Sequence, residues 1–155
     1  MNKSPVSQRG MALLVSLVFL LLLTLIGISS MQNANLQEKM ATSVTLRNQS
    51  FQIAEAALRI GESAVQAENY ALAACAGARC LPPSDSSTVI KAGPGESGVT
   101  WVAAGNGFYG VQNIGTTLNA VNVPSGTSAT LYRVTAVAIV GNNVRSVVES
   151  VYAKF

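Results

Sequence analysis

The sequence predicts an α+β protein in which one long N-terminal helix packs on a small C-terminal antiparallel β-sheet. Two observations predict this fold. No proline interrupts the chain between Pro5 and Pro82, and after about Ala71 strand-like runs alternate with turns rich in glycine and proline. The 155 residues are 49% hydrophobic and 11% charged, with a net charge of +3. That length allows one modest domain, and that composition excludes a disordered chain.

Composition also excludes several kinds of functional site. The chain has no histidine and two cysteines, which rules out Ser-His-Asp triads, His-ligated metals and a complete four-ligand zinc site. Glu55 and Glu62 fall near each other on a helix, but such a pair is usually a solvated face. The basic residues form no run that would follow a nucleic-acid backbone. We therefore expect no catalytic residue, no metal, no cofactor and no nucleic-acid partner.

The first element is an apolar helix. No charged residue occurs between Arg9 and Glu38, and the run Met11–Ile28 is almost wholly apolar. Continued through Met31, the run is long enough to cross a hydrocarbon core of about 30 Å. Because Lys3 and Arg9 precede it, the positive-inside rule predicts a single-pass protein with a cytoplasmic N-terminus and the rest of the chain outside. In an inner membrane, that orientation makes the C-terminal domain periplasmic.

Three interpretations of this segment compete. A secretory signal peptide would be shorter and would end at small residues suited to cleavage, which the sequence GISSMQNA does not provide. An ordinary signal anchor fits both the length and the orientation. The third interpretation depends on Gly10, which stands directly before the apolar run. Residues 1–10, MNKSPVSQRG, resemble a leader that prepilin peptidase cuts after the glycine, leaving Met11 as the new N-terminus.

The second half of the helix is amphipathic. Its apolar residues recur at helical spacing and mark one face, namely Leu36, Met40, Val44, Phe51, Ala54, Leu58 and Val65. We therefore expect residues 11–31 to form a transmembrane half and residues 32–70 an amphipathic half, which ends near Tyr70. Phe51, Leu58 and Val65 are expected to pack on the sheet.

Residues 71–155 are expected to form a periplasmic β domain. Its predicted strands are Gly98–Ala104, Phe108–Ile114, Thr130–Val140 and Val144–Ala153, and the last two flank Gly141 as a hairpin. Cys75 and Cys80 lie early in this domain. Pairing between them is expected in the oxidising periplasm, with two free thiols as the alternative.

At this point the chain resembles the PilX-type minor pilins of type IV pili. The Gly10–Met11 junction and the apolar run are features of all pilins and pseudopilins, whereas AEAALR at 54–59 is similar to the PilX-type N-terminal region. The ending Tyr132–Tyr152 is similar to that family's C-terminal strands. The resemblance thus covers residues 10–65 strongly and 130–155 moderately, and it implies a pilin-like fold.

The chain departs from the pilin pattern at Val15. Most pilins carry a glutamate there, and in that group it is thought to neutralise the N-terminal amine of the subunit above it. An amine buried in an apolar bundle is costly without a counter-charge. A subunit with valine suits a position with no pilin above it, which is the filament tip. The resemblance also implies methylation of Met11, a step that the missing glutamate leaves open.

The resemblance implies a minor pilin that primes or caps pilus assembly. Its implied partners are other minor pilins, the major pilin, prepilin peptidase, the inner-membrane assembly platform and, before assembly, the membrane itself. Three alternatives stay open: a pilus-tip adhesin that binds a surface or receptor, a minor pseudopilin of a type II secretion system, and a signal-anchored periplasmic domain unconnected with pili.

Overall fold

The computed structural model describes residues 8–155, so residues 1–7 of the expected leader, Lys3 among them, lie outside the described residues. Helix α1 spans Gln8–Gln66. Five strands follow and form one antiparallel sheet in the order β1-β2-β3-β4-β5, namely β1 Gly93–Pro94, β2 Thr100–Ala104, β3 Gly107–Thr117, β4 Ala129–Val140 and β5 Val144–Lys154. The predicted α+β, pilin-like fold is confirmed.

The chain divides into two compact units, Met1–Ser43 and Val44–Phe155. In the described part of the first unit the large apolar side chains of α1 are exposed, with exposed fractions from 47% at Val18 to 73% at Leu13. The hydroxyls of Ser16 and Thr24 donate to carbonyl oxygens one turn earlier in the helix, at 2.9 and 2.8 Å. The polar side chains of the apolar run are therefore satisfied within the helix itself.

In the second unit, α1 packs on the sheet through small residues. Its buried positions are Ser50, Ala54, Ala57, Gly61 and Val65. A Cβ added at Gly61 would lie 2.6 Å from Cγ1 of Val134, so only glycine allows this close approach between helix and strand β4.

The expected packing face was therefore partly wrong. Val65 is buried and Leu58 is partly buried against β4, but Phe51 is 48% exposed. Phe51 lies beside the stripe of small residues rather than on it. The sequence pattern predicted that large apolar side chains contact the sheet. The contact is made mostly by small side chains instead, because the helix lies close to the sheet.

The helix ends earlier than expected, at Gln66 rather than near Tyr70. Residues 67–70 form a turn, in which the Tyr70 N–H donates to the Ala67 carbonyl at 3.0 Å. The Lys154 ammonium donates to the carbonyls of Ala67 and Tyr70 at 2.5 and 3.2 Å. A cation bound to these carbonyls stabilises the C-terminal end of the helix.

The β4–β5 hairpin was predicted and is present. Its register pairs Val140 with Val144 and Tyr132 with Tyr152. Gly141 and Asn143 in the turn have φ of 56° and 75°, a left-handed conformation that glycine and asparagine tolerate best. The short strand β1 was not predicted, because Gly93–Pro94 has the composition of a turn.

The sheet is covered on both faces. On one face Tyr132, Val134 and Ala136 pack under α1. On the other face Val99, Trp101 and Val137 form a second cluster with Val89 and Phe108. The segment between α1 and β2 therefore supplies a second core layer that compensates for the small size of this unit.

Candidate functional site

The expected cleavage junction lies in α1. Gly10 and Met11 are both exposed, and a Cβ added at Gly10 would meet no atom within 4 Å. A larger side chain at position 10 is therefore compatible with the fold. Any requirement for glycine there must come from another molecule.

Val15 lies one turn after Met11 and is 49% exposed. It borders a shallow groove along the helix whose lining is apolar except for Ser16, and which also includes Met11, Ala12, Phe19, Leu20 and Leu23. The first acidic residue after this groove in the sequence is Glu38. The start of the helix therefore offers no carboxylate to a neighbouring amine.

Gly10–Gln66 of α1 meets the length and composition required of a membrane-crossing helix, and its most apolar 18-residue window has a mean hydropathy of 2.9. Leucines project from every side of this run, so it has no polar face that would suit water. An apolar surface of this extent requires lipid or other apolar helices around it.

The disulfide loop is held on the outer face of the sheet, which is the face away from α1. Cys75 and Cys80 form a disulfide with Cα atoms 5.2 Å apart. Gln112 in β3 donates from Nε2 to the carbonyls of Arg79 and Leu81, at 2.6 and 3.0 Å.

A second side chain completes this clamp. Arg133 in β4 is the cross-strand partner of Gln112, and its Nη1 donates to the Cys80 carbonyl at 2.6 Å. Glu149 in β5 accepts from Nε of Arg133 at 3.1 Å. Two paired side chains therefore bind three consecutive carbonyls of the loop, and these contacts give the buried amide of Gln112 its hydrogen-bond partners.

A second polar contact organises the segment between the loop and β2. Asp85 is only 8% exposed, and its carboxylate accepts from the Ser97 hydroxyl at 2.7 Å and from the Ser97 N–H at 3.3 Å. The Trp101 indole N–H lies beside the same carboxylate without the alignment of a hydrogen bond.

The ionisation of Asp85 follows from these contacts. Burial alone would raise the pKa of Asp85, but the hydrogen bonds from Ser97, together with the indole of Trp101 and backbone donors, outweigh it and lower the pKa. The carboxylate is therefore held in its charged form, as an anchor for the turn at Ser97.

The fold and the helix surface define a class: an α+β subunit with a membrane-type N-terminal helix. Residues 9–59 match the family model described as PilX N-terminal. This match supports a PilX-family type IV minor pilin and confirms the N-terminal part of the resemblance found in the sequence. The likeness at Tyr132–Tyr152 lies outside it and stays a prediction. Residues 60–155 lie outside the matched segment. No curated protein and no solved structure matches the chain.

Sequence reasoning identified Gly10, Met11, Val15 and the two cysteines, and the structure places the first three together at the start of α1. It missed Gln112, Arg133 and Asp85. An amide in the middle of a strand, as Gln112 is, could have signalled a buried polar contact. Its loop partners, however, lie more than thirty residues away in the sequence and could not be identified from spacing.

Proposed function

We propose that the chain is a minor pilin that primes or caps type IV pilus assembly at the filament tip, after prepilin peptidase cuts the Gly10–Met11 bond. The match to the PilX N-terminal family over residues 9–59 carries this proposal, because it includes the junction and the apolar helix. The exposed apolar surface of α1 supports it, since the same side chains can pack in lipid and against the helices of other subunits.

The proposed mechanism has four steps. The leader and the apolar helix hold the precursor in the inner membrane. Prepilin peptidase then exposes the amine of Met11. The helix next packs with other minor pilins, where that amine can bind a glutamate of a subunit below. Because Val15 offers no carboxylate to a subunit above, this chain ends the series at the tip.

Cleavage is tested by sequencing the N-terminus of the mature protein, which we expect to be Met11. The variant Gly10→Leu should accumulate as uncut precursor. Gly27→Leu is the matched control, because a Cβ at either glycine meets no atom within 4 Å and only Gly10 stands at the junction. Normal cutting of Gly10→Leu would overturn the proposal.

The tip position is tested with gold-labelled antibody, which should mark fibre ends. Val15→Glu restores a carboxylate and should move label into the shaft. Val18→Glu places the same charge at a similarly exposed position, 47% against 49%, and should not move it. Uniform shaft labelling by the unchanged protein would contradict the tip assignment.

One observation favours direct adhesion as a second function. The loop between β3 and β4 carries no charged residue, and Val121 in it is 85% exposed. Val121→Asp should reduce surface attachment without changing fibre number if this loop binds a receptor. Reduced fibre number in that variant would favour the priming role instead.

A further inference from the structure

A gap in the sheet leaves part of β3 without a neighbour on the side away from β4. The pairing of β2 with β3 stops at Val102 and Tyr109, and the next pairing on this side is the parallel bridge between Ala74 and Asn113. Between these two points, no strand within the described part of the chain pairs with this side of β3. The backbone of β3 around Val111 is therefore open there.

This gap is a cleft of about 460 Å³, which is within the range of about 300–1,000 Å³ typical of small-ligand sites. Its walls come from residues 70–79, from residues 97–102 and from β3. At one end the Cys75 N–H donates to the Asn113 carbonyl at 2.8 Å. Since the backbone groups of alternate strand residues point the same way, Val111 also directs its N–H and C=O towards the cleft.

A single cation borders the cleft. Among the described residues that line it, Arg79 alone is charged, and its guanidinium forms no ion pair within that part of the chain. Its side chain runs over Gly98, where an added Cβ would lie 3.5 Å from Cδ and 3.7 Å from Nε of Arg79. The carbonyl of Arg79 accepts from Nε2 of Gln112 at 2.6 Å, which fixes the backbone at the rim without using the guanidinium.

The rest of the lining is uncharged and mostly apolar. Its larger apolar and aromatic residues are Leu72, Val99, Val102, Val111, Tyr70 and Tyr109. Burial raises the pKa of Tyr70, and the neighbouring Tyr109 and Tyr132 raise it further, so this phenol is neutral at pH 7 and adds no negative charge. A cation without a counter-ion beside apolar walls is complementary to an anion that carries an apolar group.

We propose that this cleft binds a carboxylate carried on an apolar group. The guanidinium of Arg79 binds the carboxylate through its N–H donors, and the apolar walls contact the rest of the ligand. An amine would be repelled by Arg79, and a doubly charged phosphate would keep one charge unmatched, because the cleft holds one cation. A free organic acid and the carboxyl end of a polypeptide both supply this chemistry. The site lies within residues 70–113 and does not depend on the proposed function.

The test uses hexanoate as the probe and the full-length, isotope-labelled protein in lipid nanodiscs. The measurement is the shift of the backbone amide NMR signals of Val111 and Gly98 against the free probe concentration. The controls are 1-hexylamine and 1-hexanol, which have the same alkyl chain and a different head group. Hexanoate should shift both signals to saturation, at a concentration about tenfold or more below that of either control. Equal binding of all three probes, or a shift that never saturates, would overturn the proposal.

Two pairs of variants locate the site. Arg79→Gln should weaken hexanoate binding about tenfold or more, whereas Arg59→Gln, on α1 with a side chain 80% exposed, should leave it unchanged. Val102→Trp fills the cleft from a position that is 41% exposed and should abolish binding, whereas Val147→Trp, 45% exposed on β5, should not. Unfolding midpoints check that each variant folds. Unchanged hexanoate binding in a folded Arg79→Gln or Val102→Trp variant would contradict the proposal.

A short peptide that ends in leucine distinguishes the two sources of the carboxylate. The peptide with a free carboxyl end contains the proposed chemistry, and the same peptide with an amidated end lacks the charge. If the acid form displaces hexanoate and the amide does not, the site accepts the carboxyl end of a polypeptide. If neither form displaces it, the ligand is a free acid. Equal displacement by both forms would show that the carboxylate is not recognised and would refute the assignment.

Discussion

The two parts of helix α1 differ in which side chains are exposed and which are buried. Before Ser43, large apolar residues such as Leu13 and Phe19 are 73% and 62% exposed. After Val44, the buried positions are mostly small, as at Ala54, Ala57 and Gly61. The difference shows that large apolar residues mark the surface available to other molecules, whereas small residues mark where the chain packs closely on itself.

The sharpest test of this difference compares two glycines. Gly61→Val should destabilise the second unit by about 3 kcal/mol, because its Cβ would lie 2.6 Å from Val134 Cγ1 and 2.8 Å from Tyr109 Cδ2. Gly27→Val should leave that stability unchanged, since a Cβ there meets nothing within 4 Å. Urea unfolding of the full-length protein in detergent measures both. Equal losses of unfolding free energy in the two variants would show that close packing does not distinguish the second part of α1 from the first.

Two valines test the same comparison by removing volume. Val65 is fully buried against Tyr132 and Val134, so Val65→Ala should cost about 2 kcal/mol in the free energy of unfolding. Val18 is 47% exposed, and Val18→Ala should cost close to nothing in the same measurement. A large loss from Val18→Ala would mean that the first part of α1 contributes to the folded core.

The polar clamp on the outer face is tested through Gln112. Gln112→Ala leaves the carbonyls of Arg79 and Leu81 without their donor, and we expect a loss of about 1.5 kcal/mol in the free energy of unfolding. Gln52→Ala, on the exposed side of α1, is the control and should change the unfolding midpoint little. If both variants unfold alike, the loop is held by the disulfide and by Arg133 alone.

The smallest expected effect concerns pH. Because the folded pKa of Asp85 lies below its unfolded value, its contribution is fully present above about pH 4 and is lost as pH falls through the folded pKa. Asp85→Asn should cost about 1 kcal/mol at pH 7 and should remove this part of the acid sensitivity. Ser97→Ala should also lower the stability at pH 7 and reduce the acid sensitivity, because it removes a hydrogen-bond donor to Asp85. The measurement is the unfolding midpoint from pH 7 to pH 2. If Asp85→Asn lost stability in acid as the unchanged protein does, the acid sensitivity would not come from Asp85.

The sequence predicted most of the fold for a simple reason. The apolar run, the absence of proline and the alternating strands are local patterns, and each element depends on residues close in the chain. The hairpin β4–β5 followed from one turn at Gly141. The family resemblance was also local, because it depended on Gly10 and the residues after it, and the match over residues 9–59 confirms it.

The contacts that organise the second unit could not be predicted in this way. Gln112 reaches Arg79, and Arg133 reaches Cys80, across separations of 33 and 53 residues. The pairing of such groups depends on strand register and on the path of the loop over the sheet. The same reason explains Phe51, because which side of a helix is buried depends on the distance to its partner as well as on periodicity.

By itself, the sequence determined the apolar helix, the glycine that precedes it, the valine at position 15 and four of the five strands, since these follow from composition and local pattern. The tertiary structure decided which helix face is buried, where the disulfide loop lies and which groups the charged side chains of β5 bind. These outcomes depend on groups far apart in the chain that meet only after folding. Within residues 8–155, they leave one sheet edge at the short strand with Pro94 and the other at the long strand β5.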